Sequence, residues 1–138
     1  MAEKVFVEHL GRAGLAGHVE VRSVGTGGWH VGEPADPRAV DVLARHGYRT
    51  EHAATQLAVE HADADLLVAL DSGHERELRR LVRDPDRVRL LRSFDPDFDG
   101  SGRDVPDPYY GGRRGFDEVL AMIEAAMPGL LAWVRERL

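Results

Sequence analysis

The chain has 138 residues, the size of one compact domain, and its 24 acidic and 18 basic residues give a net charge of −6. That balance argues against a dedicated nucleic-acid binder, which usually carries a basic face. The absence of cysteine excludes disulfides, cysteine-ligated zinc and thiol catalysis within these residues. Neither a membrane span nor a signal peptide can be recognised, so we expect a cytoplasmic protein with no membrane partner.

The first predicted element is an amphipathic helix over residues 2–15, which we expect to end near Gly14 or Gly17. Its inward residues recur at helical spacing. They are Val5, Phe6, His9 and Leu10. The alternation of apolar and polar residues over 19–24 predicts a strand, and the glycines of 25–32 predict a loop.

Asp36 and Pro37 predict the start of a second helix, because Asp caps free N–H groups and Pro fits the first helical position. We expect this helix to end at Gly47. Its buried stripe is assigned to Val40, Leu43 and Ala44. The continuous apolar run over 66–70 is typical of a strand covered on both faces, as in a parallel sheet.

Asp71 predicts the cap of a third helix that runs through Leu81, and residues 88–91 predict a further strand. Residues 115–138 keep a helical period, although Pro128 must kink or divide that helix. Helices and strands therefore alternate along the chain, which predicts an α/β layered fold with a parallel sheet in a single domain, 1–138.

Two patterns raise the question of a metal site. Residues 95–100 carry acids at positions 1, 3 and 5 and Gly at position 6, as in a calcium-binding loop. The twelfth position would be Pro106 and the ninth Arg103, so an acidic solvated loop is the favoured interpretation. The seven histidines show no metal-ligand spacing, and we therefore predict no metal.

The segment around Asp107 is the most informative for catalysis. Prolines on both sides hold this acid in a stiff loop, and Tyr109 and Tyr110 follow with flat faces and hydroxyl groups. From spacing alone, a rigid turn whose tyrosines pack on the sheet is the favoured alternative. Trp29, at the tip of the glycine-rich loop, either caps a hydrophobic edge or forms the wall of a binding site.

Taken together, several short motifs resemble the low-molecular-weight protein tyrosine phosphatases, especially their actinobacterial members. The motifs are SVGT at 23–26, WHVG at 29–32, DPR at 36–38, His52 and DPYYG at 107–111. The resemblance covers essentially the whole chain. It implies a three-layer α/β fold, in which helices flank a parallel sheet with strand order 2-1-3-4.

The resemblance also implies hydrolysis of phosphomonoesters through a phosphocysteine, with no cofactor. Asp107 matches the general acid that protonates the leaving tyrosine oxygen and then accepts a proton from the attacking water. Full activity of an Asp107→Asn variant would move this role to Asp104, the other acid nearby in sequence. Ser23 and His52 match residues that hydrogen-bond the phosphate loop into shape. The aromatic walls that receive the phosphotyrosine ring match Trp29, Tyr109 and Tyr110.

The match begins just after the family's phosphate loop. The first strand, which is internal to the sheet, the nucleophilic cysteine and the phosphate-binding arginine have no counterpart among these residues. We therefore expect an N-terminally truncated domain that is inactive as it stands, whose sheet is split between 19–24 and 66–70 or closed by rearrangement or by another chain. The full protein would act on phosphotyrosine proteins or small aryl phosphates.

An alternative is a non-catalytic phosphotyrosine-binding or interaction protein on the same scaffold. Arsenate reduction on this fold needs further cysteines. Phosphoarginine hydrolysis is disfavoured because such relatives lack the tryptophan wall and the paired tyrosines.

Overall fold

The computed structural model describes residues 1–24, 36–50, 63–98, 104–106 and 112–138, with side chains from 115 onward in the last range. The helices are α1 (Ala2–Arg12), α2 (Pro37–Arg45), α3 (Ser72–Leu81) and α4 (Gly112–Arg135). The strands are β1 (Leu67–Ala69) and β2 (Val88–Leu90). Short 3-10 segments occupy Ala16–His18, Pro85–Arg87 and Leu91–Phe94. Among the helices described, none combines the length and the apolar character that a membrane span requires.

The two strands pair in parallel, with Leu67 opposite Val88 and Ala69 opposite Leu90. Their inward side chains pack against Leu78 of α3, which covers one face of the sheet. The predicted α/β fold, a short parallel sheet flanked by helices, is therefore confirmed. The predicted ranges 66–70 and 88–91 each exceed the observed three-residue strand by no more than one residue at either end.

The predicted helix starts are confirmed by their caps. Asp36 Oδ1 accepts a hydrogen bond of 2.8 Å from the backbone N–H of Arg38, and Pro37 opens α2. Asp71 Oδ1 likewise accepts from the N–H of His74, at 2.7 Å, at the start of α3. Gly47, with φ +82°, follows α2 in the left-handed region that glycine adopts without strain.

The predicted strand over 19–24 is wrong. Val19 has extended dihedral angles, φ −134° and ψ 127°, but residues 19–24 form no strand. Alternation specifies only one buried face, whereas a strand also requires a hydrogen-bonded neighbour. The sheet that is described contains β1 and β2 alone.

Other sequence expectations also need correction. The buried face of α2 comprises Ala39, Val42 and Leu43, whereas Ala44 is exposed. These three residues have the spacing i, i+3 and i+4, so they lie on the one face of α2 that packs against α4. Strand β1 is not covered on both faces, since Val68 is 36% exposed. Helix α4 continues through Pro128, whose ring lies at an exposed position and removes one hydrogen bond from a 24-residue helix.

The main core forms where α4 packs against α1, α2 and the 3-10 segment Leu91–Phe94. Its largest fully buried side chains are Leu43, Leu91, Leu120, Ile123 and Met127. Tyr48 adds a polar link inside this packing: its hydroxyl donates to Glu124 Oε2 at 2.7 Å and lies 3.2 Å from His9 Nε2. Burial, followed by the bond to Glu124, raises the pKa of Tyr48 to about 12.

Gly129 of α4 lies very close to the backbone of the 3-10 segment Leu91–Phe94. A Cβ atom at this position would collide with the carbonyl oxygen of Phe94 and lie 2.8 Å from its carbonyl carbon. Since backbone atoms cannot move aside like a flexible side chain, only glycine allows α4 to lie this close to the 3-10 segment. Gly11 in α1 is the opposite case, because an added Cβ there meets nothing within 4 Å.

We predict that Gly129→Ala lowers the free energy of unfolding by about 3 kcal/mol, as for overpacking in a tightly packed core. Gly11→Ala is the matched control and should raise stability by roughly 0.5–1 kcal/mol, because alanine favours the helix. Urea unfolding followed by circular dichroism measures both. Equal stabilisation of the two variants would contradict the close contact at residue 129.

Candidate functional site

The candidate site lies at the carboxyl end of β1. Residues 104–106 return to this point, where the N–H of Val105 donates to the carbonyl oxygen of Leu70 at 2.7 Å. In open α/β sheets, ligands bind outside the carboxyl ends of the strands. The chain that leads into Asp107 is therefore attached to the edge of the sheet at which such folds carry their sites.

Asp104 provides a second attachment of the same segment. Its Oδ1 accepts from the backbone N–H of Ser72 at 2.8 Å and from the Ser72 hydroxyl at 2.7 Å. Ser72 is the first residue of α3, so its N–H has no partner within the helix. The segment is thus attached to both the end of β1 and the start of α3.

These bonds make Asp104 a poor general acid. The hydrogen bonds from the Ser72 hydroxyl and backbone hold the pKa of Asp104 below its usual range, with a smaller contribution from the charge of Arg76. A general acid must carry a proton near the operating pH, which usually requires a raised carboxyl pKa. The expectation that Asp104 could replace Asp107 as the acid is therefore disfavoured by its environment.

A cavity of about 260 Å³ lies beside this segment. Its described lining residues come from the first residues of α1 and α2, the end of β1, residues 105–106 and the inner face of α4. They are Met1, Ala2, Asp36, Ala39, Leu70, Val105, Pro106, Phe116, Val119 and Ile123. Nearly all are apolar, so the cavity suits an apolar group.

Asp36 is the charged side chain among those lining residues, and it is already engaged. Besides the N–H of Arg38, its carboxylate binds the Arg38 guanidinium at 3.0 Å. The hydrogen bonds from Arg38, first from its side chain and then from its backbone, lower the pKa of Asp36. Asp36 therefore serves as a helix cap, in agreement with the sequence prediction.

Most of the predicted site residues lie outside the described residues. They are Trp29, His52, Asp107, Tyr109 and Tyr110. Ser23 is described and half-buried, in the segment 19–24 without regular secondary structure. Their catalytic and binding roles therefore remain predictions.

The acidic loop and the histidines can be followed in part. Asp95 Oδ1 accepts from the N–H of Asp97 at 2.9 Å, so this carboxylate closes a local turn. The described ranges contain no group of three or more His, Asp or Glu side chains that could hold a metal ion. His30, His52 and His61, with residues 99–103, lie outside those ranges.

Sequence reasoning missed the pairing of Asp104 with Ser72. The two residues are 32 positions apart, and no periodic pattern connects them. One signal was available in the sequence: Ser72 begins a helix that Asp71 already caps. A helix start has several free N–H groups, so a second acid from another segment can bind there.

Known proteins resemble the chain over its whole length. A sequence model described as "Low molecular weight phosphotyrosine protein phosphatase" matches residues 1–138. Low molecular weight protein-tyrosine phosphatase A of Mycobacterium bovis is 56% identical over 138 residues, which are 100% of this chain and 85% of the relative. A low molecular weight protein-tyrosine-phosphatase of Streptomyces coelicolor is 58% identical over 141 residues, covering 99% and 86%. A crystal structure of a protein tyrosine phosphatase from Entamoeba histolytica has a TM-score of 0.91 at 26% identity, covering 98% of this chain and 87% of the other.

Proposed function

Because the chain belongs to the low-molecular-weight protein tyrosine phosphatase family, we propose that its 138 residues form one domain that carries the general acid and the aromatic walls of such an enzyme. The substrates are phosphotyrosine proteins or small aryl phosphates, and the location is the cytoplasm. The observation that carries the proposal is the double attachment of residues 104–106, because Asp107 follows next in the chain.

In the proposed reaction a cysteine thiolate attacks the phosphorus and the bond to the aryl oxygen breaks. Asp107 gives its proton to that oxygen. Water then attacks the phosphocysteine, Asp107 accepts a proton from it, and the sulfur–phosphorus bond breaks to release phosphate. Acid–base chemistry and a thiolate nucleophile suffice for these steps, so no cofactor or metal is invoked.

The remaining roles follow from the same resemblance. Trp29, Tyr109 and Tyr110 form the walls around the phosphotyrosine ring, and aromatic contacts favour such a ring over an alkyl group. Ser23 and His52 hydrogen-bond the phosphate loop. No contact with nucleic acid or membrane is part of the proposal, in keeping with the net charge of −6.

The nucleophile must come from outside these residues, because the chain contains no cysteine. We propose that a strand and its phosphate loop are added beside β1. The added strand would give residues 19–24, which form no strand here, the hydrogen-bonded neighbour that a strand requires, as the family order 2-1-3-4 implies. Two observations support this placement. Among the described residues β1 pairs with a strand along one edge only, and the apolar cavity is lined by Leu70, Val105 and the start of α1.

A non-catalytic phosphotyrosine-binding protein on the same scaffold is the second candidate. It is favoured by one observation, the lack of any thiol in the 138 residues. The two candidates differ in whether an added strand and loop create turnover.

We predict that the 138-residue protein does not hydrolyse para-nitrophenyl phosphate. The same residues preceded by the family's first strand and Cys-x5-Arg loop should turn over this substrate and unfold at a higher temperature. The longer polypeptide with its cysteine changed to serine is the control, since it keeps the strand but loses the nucleophile. Turnover by the 138 residues alone would contradict the proposal, and phosphotyrosine binding without turnover in either form would favour the second candidate.

We predict that Asp107→Asn in the longer polypeptide lowers kcat/KM for aryl phosphates by about 10²- to 10⁴-fold, the usual contribution of general acid–base groups. Asp86→Asn is the matched control, because Asp86 is an exposed aspartate in the separate segment Pro85–Arg87 and has no proposed role in the reaction. Steady-state kinetics measures both variants. Full activity of Asp107→Asn would remove this residue from the reaction.

We predict that Trp29→Ala in the longer polypeptide lowers kcat/KM for phosphotyrosine much more than kcat/KM for a small alkyl phosphate. The reason is that contacts with the ring are lost while contacts with the phosphate remain. The other tryptophan of the chain provides the control, since Trp133 packs on the core and beneath the Arg137 guanidinium. Trp133→Ala should lower the unfolding temperature without changing the preference. Equal losses on both substrates for Trp29→Ala would identify Trp29 as a packing residue.

A further inference from the structure

We propose that Asp104 is a positioning residue for the reaction, which attaches the loop of the general acid to the first turn of α3. This inference rests on the proposed role of Asp107. It concerns a different residue and a different step, because Asp104 contacts Ser72 and acts through the backbone that follows it.

The attachment consists of short hydrogen bonds at two consecutive residues, of which Asp104 is exposed to solvent. One carboxylate oxygen of Asp104 accepts from both the N–H and the hydroxyl of Ser72, at 2.8 and 2.7 Å. The next residue, Val105, donates its N–H to the carbonyl of Leu70 at 2.7 Å and is itself buried. Two consecutive residues are thus held by three hydrogen bonds to the turn between β1 and α3.

Helix α3 does not need Asp104 for its own cap. Asp71 already accepts from the N–H of His74 at 2.7 Å, as a local N-cap does. Asp104 instead takes the N–H of Ser72, which is left free at the helix start and favours a negative charge. Because the bond joins residues 32 positions apart, it fixes residues 104–106 relative to the start of α3 and adds no cap within the helix.

The restraint reaches Asp107 through a short, stiff connection. Three peptide units separate Asp104 from Asp107, and each spans 3.8 Å at most between Cα atoms. Pro106, which lies between them, has a fixed φ angle, and this removes part of the freedom of the connection. A misplacement of about 1 Å at a reacting group can lower the rate by roughly 10²-fold.

The test uses the longer, active polypeptide and two substrates, phenyl phosphate and 2,4-dinitrophenyl phosphate. Phenolate is a poor leaving group and needs the proton of the acid, whereas dinitrophenolate leaves without it. We expect Asp104→Ala to lower kcat/KM for phenyl phosphate roughly 10- to 100-fold, the range for a misplaced acid. The loss on dinitrophenyl phosphate should stay below about threefold, since the acid contributes little to that reaction.

Three further variants keep the test independent of folding defects. Asp104→Asn keeps an acceptor oxygen and should lose less than Asp104→Ala. Ser72→Ala removes the hydroxyl bond and keeps the backbone N–H bond, so it should show the same preference between substrates with a smaller loss. It should add nothing to Asp104→Ala, which already removes both bonds. Asp84→Asn is the matched control: Asp84 accepts from the N–H of Asp86 at 3.1 Å and caps another segment, so the substrate preference should not change.

Equal losses on the two substrates for both Asp104→Ala and Asp104→Asn would overturn the inference, because a merely structural role affects both reactions alike. No loss on either substrate would also overturn it. Asp107→Asn, measured in parallel, separates the two claims. If it shows the leaving-group dependence and Asp104→Ala does not, the inference alone fails; if Asp107→Asn lacks that dependence, the proposed function of Asp107 fails with it.

Discussion

The contact between Gly129 and the backbone of Phe94 determines how closely α4 can lie against the rest of the molecule. Residue 129 has no Cβ, so the helix meets the 3-10 segment with no side chain between them. The consequence reaches the other end of α4, because Phe116, Val119 and Ile123 of the same helix form one wall of the cavity. A helix held further away would widen that cavity and loosen the packing of α1 and α2.

The site combines two kinds of support. Apolar packing around α4 defines the cavity, and directional hydrogen bonds attach residues 104–106 to its rim. Packing alone tolerates small shifts, whereas paired hydrogen bonds fix a position. The division suits an enzyme of this family, in which an aromatic ring has to be enclosed and a proton donor has to be aimed.

The parts of the fold that depend on neighbouring residues could be predicted from the sequence. Asp36 and Asp71 cap helices within three residues of themselves, so their signals are local and both starts were confirmed. The prediction of a strand over 19–24 was wrong because a strand depends on a partner strand elsewhere in the chain. The contact of Gly129 and the bond of Asp104 escaped for the same reason, since each joins segments more than 30 residues apart. The predicted roles of Trp29 and Asp107 came from motif resemblance, which indicates a chemical role for a residue but gives no position for its side chain.

The two hydrophobic clusters differ in how much chain is needed to build them. The cluster of β1, α3 and β2 is complete within residues 67–90, while the main core brings Val5 together with Leu130. Closing a short loop costs less conformational entropy than joining the two ends of the chain. We therefore expect the strand–helix–strand unit to assemble first during folding, and the main core, which needs residues from both ends of the chain, to form after it.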